Sequence, residues 1–187
     1  LDDVQAKIAF GERWDKWIDL KLDEDRFAER LARLDGLGLA NPLNALSELA
    51  EGFHRNYEIL KQVDINVPDN RVFDSPRMVA ITASNLEKLK KHNRDSDDKL
   101  YKHIAFVSRV AADIRSVGID SDEAIEVLAL SPKLRTSVGS QRNWAPTVDG
   151  VNACKFVKDE LIKLQLSVDA DLHSARYASS TPIIDEI

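Results

Sequence analysis

Four side chains suited to binding an anion or stacking on a base lie within one short stretch of the sequence. The stretch, LSPKLRTSVGSQRNWAP at residues 130–146, contains Lys133, Arg135, Arg142 and Trp144. The chain is acidic, with a net charge of −6, yet residues 127–148 contain no Asp or Glu. Cations without neighbouring carboxylates can bind phosphates, and an indole ring can stack on a base. Lys155 and Lys158, on the segment that follows, would extend the same basic region.

The same stretch also has the features of a plain connection between helices. Pro132 ends one predicted helix and Pro146 precedes the next, because the residue before a proline disfavours the helical conformation. An acid-free window of this length also arises by chance in a chain of this composition. Two interpretations therefore stay open: an interface for nucleic acid or another polyanion, and a connector or protein contact.

No other group of residues predicts a metal, cofactor or catalytic site. Glu51-Gly-Phe-His54 has the Glu-x-x-His spacing of di-iron bundles, but those need two such motifs and two further Glu residues. Asp95-Ser-Asp97-Asp98 lacks the Gly and the closing Glu of a calcium loop, so a helix cap or solvated turn is expected. We therefore predict no cofactor and a protein that is not an enzyme. An enzyme whose catalytic residues converge from distant helices is the third alternative.

Length and composition favour a helical domain. The chain has 187 residues, of which 43% are hydrophobic and 31% charged, with few Gly and Pro. No run of about 18 apolar residues predicts a membrane span. The single cysteine, Cys154, excludes an internal disulfide and lies on an apolar stripe, which predicts a buried, inert thiol. A cytoplasmic or other reducing intracellular location is expected.

Helical spacing and capping signals predict six or seven helices. The predicted segments are residues 3–22, 24–34, 42–64, 76–92, 100–117, 120–129 and a last one from Asp149. The most regular stripe, with 4-3-4-3 spacing, consists of Leu100, Ile104, Val107, Ala111 and Ile114. Side-chain caps are expected at Asn41 and Ser75, and Asp120-Ser-Asp-Glu123 has the pattern of a capping box. A break near Asp95 is favoured over one continuous rod from 76 to 117.

The last helix carries two sets of apolar residues. Val151, Cys154, Val157, Leu161 and Leu164 share one side, which we expect to be buried. Phe156 and Ile162 lie off that stripe, so the helix is expected to contact more than one neighbour. We predict a single helical domain over residues 1–177 and an extended C-terminal arm over residues 178–187.

These observations predict an all-α helical bundle that works as a non-catalytic assembly, scaffold or adaptor protein, with a long loop near 131–148. Its contacts with a protein partner or with itself are expected at Trp14, Trp17, Ile183, Ile184 and Ile187. An aromatic stripe at helical spacing, such as the one containing Trp14 and Trp17, more often belongs to a core. The alternative is a nucleic-acid-associated protein, such as a nucleocapsid-like or DNA- or RNA-binding subunit. It would use Lys133, Arg135, Arg142, Trp144, Lys155 and Lys158.

Overall fold

All regular secondary structure in the described part of the chain is helical. The computed structural model of the protein describes residues 3–56, 73–135 and 138–184. Its α-helices are α1 (Asp3–Leu22), α2 (Asp25–Gly36), α3 (Pro42–Arg55), α4 (Ser75–Leu89), α5 (Lys99–Val117), α6 (Asp122–Leu130) and α7 (Val148–Ile184). Short 3-10 turns occur at Lys90–His92 and Gln141–Asn143. The predicted all-α helical bundle is confirmed.

The chain divides into two compact units. The first unit comprises Leu1–Asn70 and Ala175–Ile187, and the second comprises Arg71–Ser174. Helices α1 to α3 and the end of α7 belong to the first unit, whereas α4 to α6 and most of α7 belong to the second. This division by packing does not test the single domain predicted over residues 1–177, which stays a prediction.

The core of the first unit joins α2, α3 and the end of α7. Its buried members are Phe27, Leu31, Leu34, Leu46 and Ile183. Trp14 and Trp17 of α1 are partly buried against this cluster, and the Trp17 ring meets the Phe27 ring edge-on at 5.6 Å between centroids. The apolar faces of α1, α2, α3 and the end of α7 thus pack together.

The C-terminal residues continue α7 instead of forming an arm. Residues 178–184 are helical, and Thr181 and Ile183 are fully buried. Arg30 donates from Nη1 to the Pro182 carbonyl at 3.4 Å, which ties the end of α7 to α2. The predicted extended arm is therefore wrong for these residues. Pro182 removes one backbone hydrogen bond near the helix end, and the burial of Ile183 opposes that loss. Residues 185–187 lie outside the described residues.

The second unit is built on the regular stripe of α5. Leu100, Ile104, Val107, Ala111 and Ile114 are all completely buried. Helix α4 packs against α5, and α6 packs against both. The 3-10 turn at Lys90–His92 ends α4, and α5 begins only after Asp98. The predicted break near Asp95 is confirmed.

Several helices begin without the side-chain capping hydrogen bonds that the sequence predicts. Asn41 adopts a left-handed conformation, with φ of 52°, and its side chain makes no capping hydrogen bond. The Ser75 N–H donates instead to Asp171 Oδ2 of α7 at 2.8 Å. The Ser121 hydroxyl is buried without a hydrogen-bond partner among the described residues. The predicted side-chain caps at Asn41 and Ser75 are therefore wrong, and the helix after Asp120 has Ser121 instead of Asp120 at its N-cap. The predicted helices are present. The predicted end of the third helix near residue 64 lies outside the described residues.

Candidate contact surfaces

Two surfaces of the second unit are candidates for binding a partner. The first is the basic loop, residues 131–147, of which 136 and 137 lie outside the described residues. The second is the outward face of α7, which consists of Val148, Val151, Lys155, Asp159, Ile162 and Leu166. The first is polar and carries cations, and the second is mainly apolar.

One buried carboxylate, Asp98, holds the basic loop in place. At the N-cap of α5 its Oδ1 accepts from the N–H of Leu100 at 2.9 Å and of Tyr101 at 3.2 Å. Its Oδ2 accepts from the Ser140 N–H at 3.0 Å and from the Asn143 side-chain amide at 2.7 Å. Asp98 therefore caps a helix and fixes the loop at the same time. The sequence predicts the cap but carries no signal for the contact with residues 40 and more positions away.

Burial and hydrogen bonding act in opposite directions on the pKa of the Asp98 carboxyl. Burial favours the neutral form and raises the pKa. The hydrogen bonds from Ser140, Asn143, Tyr101 and Leu100 outweigh burial and leave the pKa below its ordinary value of 3.8. The group is therefore ionised at neutral pH, where hydrogen bonds to a charged acceptor are strongest.

Backbone hydrogen bonds bring a second basic stretch against the loop. The Arg94 N–H donates to the Asn143 carbonyl, and the Ala145 N–H donates to the His92 carbonyl, both at 2.7 Å. Exposed Lys91 and Arg94 precede α5, far from the loop in sequence. The pairing places Arg94 beside the segment that carries Arg142. Sequence reasoning missed this juxtaposition because it depends on contacts between distant segments.

Two glycines allow the close approach of the loop to its neighbours. Gly139 has φ of 81°, and a Cβ there would lie 2.8 Å from Asp98 Oδ1 and 2.9 Å from the Leu100 nitrogen. A Cβ at Gly150, in the first turn of α7, would lie 2.8 Å from the Ala145 nitrogen. Both distances are too short for a side chain, so the loop needs glycine at these positions.

Trp144 belongs to the core. Its side chain is 1% exposed, although Nε1 has no hydrogen-bond partner among the described residues. The backbone pairing on either side of Trp144 turns the ring into the second unit, where its large apolar area is removed from water. The predicted role of Trp144 in stacking on a base is therefore wrong for this structure.

The predicted cations are distributed over the loop and α7. Lys133, Arg135 and Arg142 are exposed and make no ion pair with any described residue. Lys155 is exposed on the outward face of α7, and Lys158 is half-buried on a neighbouring face. The three loop cations are thus accessible to solvent. Together with Lys155 and Lys158 they do not form a single cluster.

His103 supports the loop at its other end. It is half-buried, and its Nε2 accepts from the Arg135 N–H at 2.8 Å. Burial lowers the pKa of His103 from its ordinary value of 6.5, and the nearby Arg135 charge lowers it further. A neutral imidazole is the form that can accept this hydrogen bond. His103 therefore has a half-buried position that supports the loop.

The predicted partner contacts fall into three groups. Trp14 and Trp17 are partly buried against the core of the first unit, as expected for a core stripe. Ile183 is fully buried in the same core, so its predicted contact with a partner is wrong. Ile184 is half-buried, and Ile187 lies outside the described residues.

The outward face of α7 leaves apolar side chains in water. Val148 is 76% exposed and Leu166 is 65% exposed, and Val151 and Ile162 are also exposed. At 3.6 residues per turn, the six residues of this face lie within an arc of about 80°. Val151 was expected to be buried with Cys154, and that expectation is wrong, because Val151 lies at the edge of the buried stripe. Ile162 lies off that stripe, as the sequence indicates.

Cys154 is a buried thiol on the inner side of α7. Burial raises its pKa, with the Lys158 charge acting in the opposite direction. A protonated, buried thiol is a poor nucleophile and a poor metal ligand. The predicted burial of Cys154 is confirmed.

The Glu51-x-x-His54 motif lies beside a cavity of about 480 Å³ in the first unit. Glu51 is engaged in an ion pair with Arg55, and the His54 ring lies 5.9 Å from the Phe10 ring. No group of three or more His, Cys, Asp or Glu that could hold a metal ion occurs within residues 3–56, 73–135 and 138–184. The motif therefore has the contacts of ordinary surface and aromatic packing.

No protein-family model, curated protein or solved structure matches this chain. Among the helices in the described ranges, none combines the length and the apolar character needed to cross a membrane. The function of the protein is therefore to be sought on its own surfaces.

Proposed function

We propose that the protein is a non-catalytic helical assembly or adaptor protein that binds another protein through the outward face of α7. The observation that carries this proposal is the exposure of Val148, Val151, Ile162 and Leu166 in one stripe. Single exposed apolar residues are normal on any protein surface, whereas aligned ones favour a binding site. A helical partner can bury such a stripe by packing along it.

The apolar area supplies the driving force for this contact. Each Å² of apolar surface removed from water stabilises the complex by about 25 cal/mol. Lys155 and Asp159 lie between the two apolar pairs of the face, and Asn152 is exposed beside them. Interfaces between separately stable proteins commonly combine apolar and polar residues in this way.

A photo-crosslinking amino acid at Leu166 tests the proposal in the cells that make the protein. We expect a protein adduct at Leu166 and none at Leu130, which is 72% exposed but lies on α6. An adduct with any protein, including another copy of this chain, supports the proposal. Equal labelling at both positions, or none at either, would contradict it.

The second candidate function is binding of nucleic acid or another polyanion at the basic loop. It is favoured by the backbone pairing that sets Arg94 beside the segment carrying Arg142, with Lys133 and Arg135 also exposed. Asp95 and Asp97 lie close to Arg94 in sequence and weaken the positive field there. Without Trp144 as a stacking platform, such binding would depend on phosphate contacts and would not read sequence.

Neutralising Arg135 and Arg142 to Gln tests the second candidate. If both contact phosphates, the slope of log K against log salt should fall by about 1.4 for single-stranded and 1.8 for double-stranded DNA. Fluorescence anisotropy with labelled oligonucleotides measures this slope. The matched control neutralises two exposed cations of the first unit, Lys16 and Arg26. Equal slopes for the two double variants would remove the basic loop from consideration.

A further inference from the structure

The outward face of α7 has the same order of apolar and charged residues when it is followed in either direction along the helix, with the cation and the anion exchanged. In chain order it reads Val148, Val151, Lys155, Asp159, Ile162 and Leu166. Two apolar residues lie at each end, and two opposite charges lie at the centre. The midpoint of the pattern falls at position 157, the position of a buried valine. Such a face is complementary to a second copy of itself that runs in the opposite direction.

We propose that the partner of this face is a second copy of the chain, with the two α7 helices antiparallel and crossing near position 157. This inference rests on the proposed function and names its partner. Val148 of one copy then lies opposite Leu166 of the second copy, and Val151 lies within one residue of the position opposite Ile162. Lys155 of each copy lies opposite Asp159 of the other. A two-fold symmetric interface requires this self-complementarity, since each residue must suit its symmetry-related partner.

The charges select the antiparallel direction. In a parallel pair in register, Lys155 would face Lys155 and Asp159 would face Asp159, and like charges across an interface are unfavourable. In the antiparallel pair both contacts join opposite charges. The apolar residues alone would permit either direction, so the central pair decides the orientation.

Lys155 and Asp159 are available for contacts between copies. They are four residues apart on α7, yet they form no ion pair with each other within residues 148–184. A cation four residues before an anion is the less favourable order for pairing within a helix. The neighbouring Lys163 is engaged with Glu160 at 2.7 Å. The hydrogen bond to Glu160 raises the pKa of Lys163, and the Asp159 charge also contributes to this shift. An antiparallel copy would supply an ion-pair partner to both Lys155 and Asp159.

The length of the face limits the strength of this contact. From Val148 to Leu166 the helix extends about 27 Å at 1.5 Å per residue. A pair of helices over this length buries less than the roughly 1,600 Å² of a standard interface. Dimerisation is therefore expected to depend on protein concentration, and this dependence is measurable by sedimentation equilibrium or light scattering.

Charge reversal tests the central contact. The single variants Lys155→Glu and Asp159→Lys should each weaken dimerisation by about tenfold, which corresponds to about 1.4 kcal/mol for the two lost pairs together. The double variant Lys155→Glu/Asp159→Lys should recover it, because each copy then offers both charges in exchanged positions. The control is Leu130→Asp on α6, which should leave the monomer–dimer equilibrium and the helical circular dichroism unchanged. Failure of the double variant to recover dimerisation would overturn the pairing.

Cysteine cross-linking tests the direction of the helices. Val148→Cys and Leu166→Cys chains, mixed and treated with a short bis-maleimide, should form mixed dimers. Each variant alone should not cross-link, because its two cysteines would lie about 27 Å apart in the antiparallel pair. Cys154 is buried and remains in both variants as an internal control. Cross-linking of each variant with itself would overturn the antiparallel arrangement.

The outcomes separate this inference from the proposed function. A wild-type monomer at about 1 mM, far above micromolar dissociation constants, would overturn self-association. If position 166 still forms an adduct with a different protein in cells, the proposed function stands with another partner. A monomer without any adduct would overturn both proposals.

Discussion

The basic loop and the outward face of α7 differ in which of their groups have partners within the protein. The loop has little regular structure, yet its backbone is tied to Asp98, His92 and His103 by hydrogen bonds of 2.7–3.0 Å. The outward face of α7 belongs to a regular helix, yet within the described residues its apolar side chains are exposed. Regular structure and completed packing are therefore separate properties in this protein.

This difference indicates where the protein has unused binding capacity. The polar groups that fix the loop already have partners within the second unit, so only its exposed cations are left to act. On α7 the backbone is satisfied within the helix, whereas the side chains of Ile162 and Leu166 gain by leaving water. A protein partner therefore has more to gain at α7 than at the loop.

Replacing Trp144 should cause the largest loss of stability. It tests whether the loop, unlike the outward face of α7, is packed within the monomer. Trp144→Ala is expected to reduce the free energy of unfolding by about 3–5 kcal/mol, since it removes a fully buried indole. Leu166→Ala should change it by less than about 0.5 kcal/mol, as usual for a surface substitution. Chemical denaturation of the two variants, at concentrations where the protein is monomeric, measures the difference. Similar losses in both would show that the α7 face is packed within the monomer.

Replacing Asp98 should give the next largest effect and separate its two roles. In Asp98→Asn the amide oxygen can still accept from the first-turn N–H groups of α5. The amide nitrogen is itself a donor, and it would face the Ser140 and Asn143 donors that bind Oδ2 in the wild type. We expect a loss of about 2–3 kcal/mol in the free energy of unfolding, the range for hydrogen bonds to charged groups. Asp97→Asn is the control, because Asp97 is exposed and pairs only with Lys102.

The same carboxylate predicts a dependence on acid. Because the folded-state pKa of Asp98 lies below 3.8, its contribution is complete above pH 3.8 and is lost as the pH falls through the folded-state pKa. Unfolding measured from pH 5 to pH 2 should show a steeper decline for the wild type than for Asp98→Asn. Parallel curves for the two proteins would exclude Asp98 as the source of this dependence.

Protonation of His103 should cause the smallest loss of stability. Since burial and then the Arg135 charge lower its pKa below 6.5, its stabilising contribution is complete above pH 6.5 and declines as the pH falls below that value. The protonated ring cannot accept from the Arg135 N–H, so exchange of that amide should accelerate in acid, for a loss under about 1 kcal/mol. Hydrogen exchange by NMR measures the rate after correction for the intrinsic effect of pH. His173→Gln, at an exposed position of α7, should leave the rate unchanged.

Much of the helical structure follows from local sequence signals. The 4-3-4-3 stripe from Leu100 to Ile114 predicts a buried face, and each of its members is buried. Asp98, before that stripe, predicts the start of α5, because its side chain can accept from free amides of the first turn. These features depend on residues within a few turns of one another, which is the range that periodicity and capping describe.

The candidate surfaces were less predictable because they depend on distant contacts. Trp144 and Ile183 have the residue types of an interface, but each is turned into a core by segments far away in the chain. Val151 has the residue type of a core but is exposed, since no helix in the described part of the chain covers the side of α7 on which it lies. The exposed cations Lys133, Arg135 and Arg142 agree with the sequence prediction of accessible charge, whereas their binding partner stays a prediction.

The sequence by itself determined the all-α class, most helix positions and the buried thiol, because backbone hydrogen bonds and apolar periodicity act over short distances. Only the tertiary structure decided that the last residues extend α7, that Asp98 anchors a loop some 40 residues away, and which side of α7 faces water. Those outcomes depend on which apolar faces find a partner. Since most faces of similar composition can pack together, the choice lies in the three-dimensional fit of whole helices.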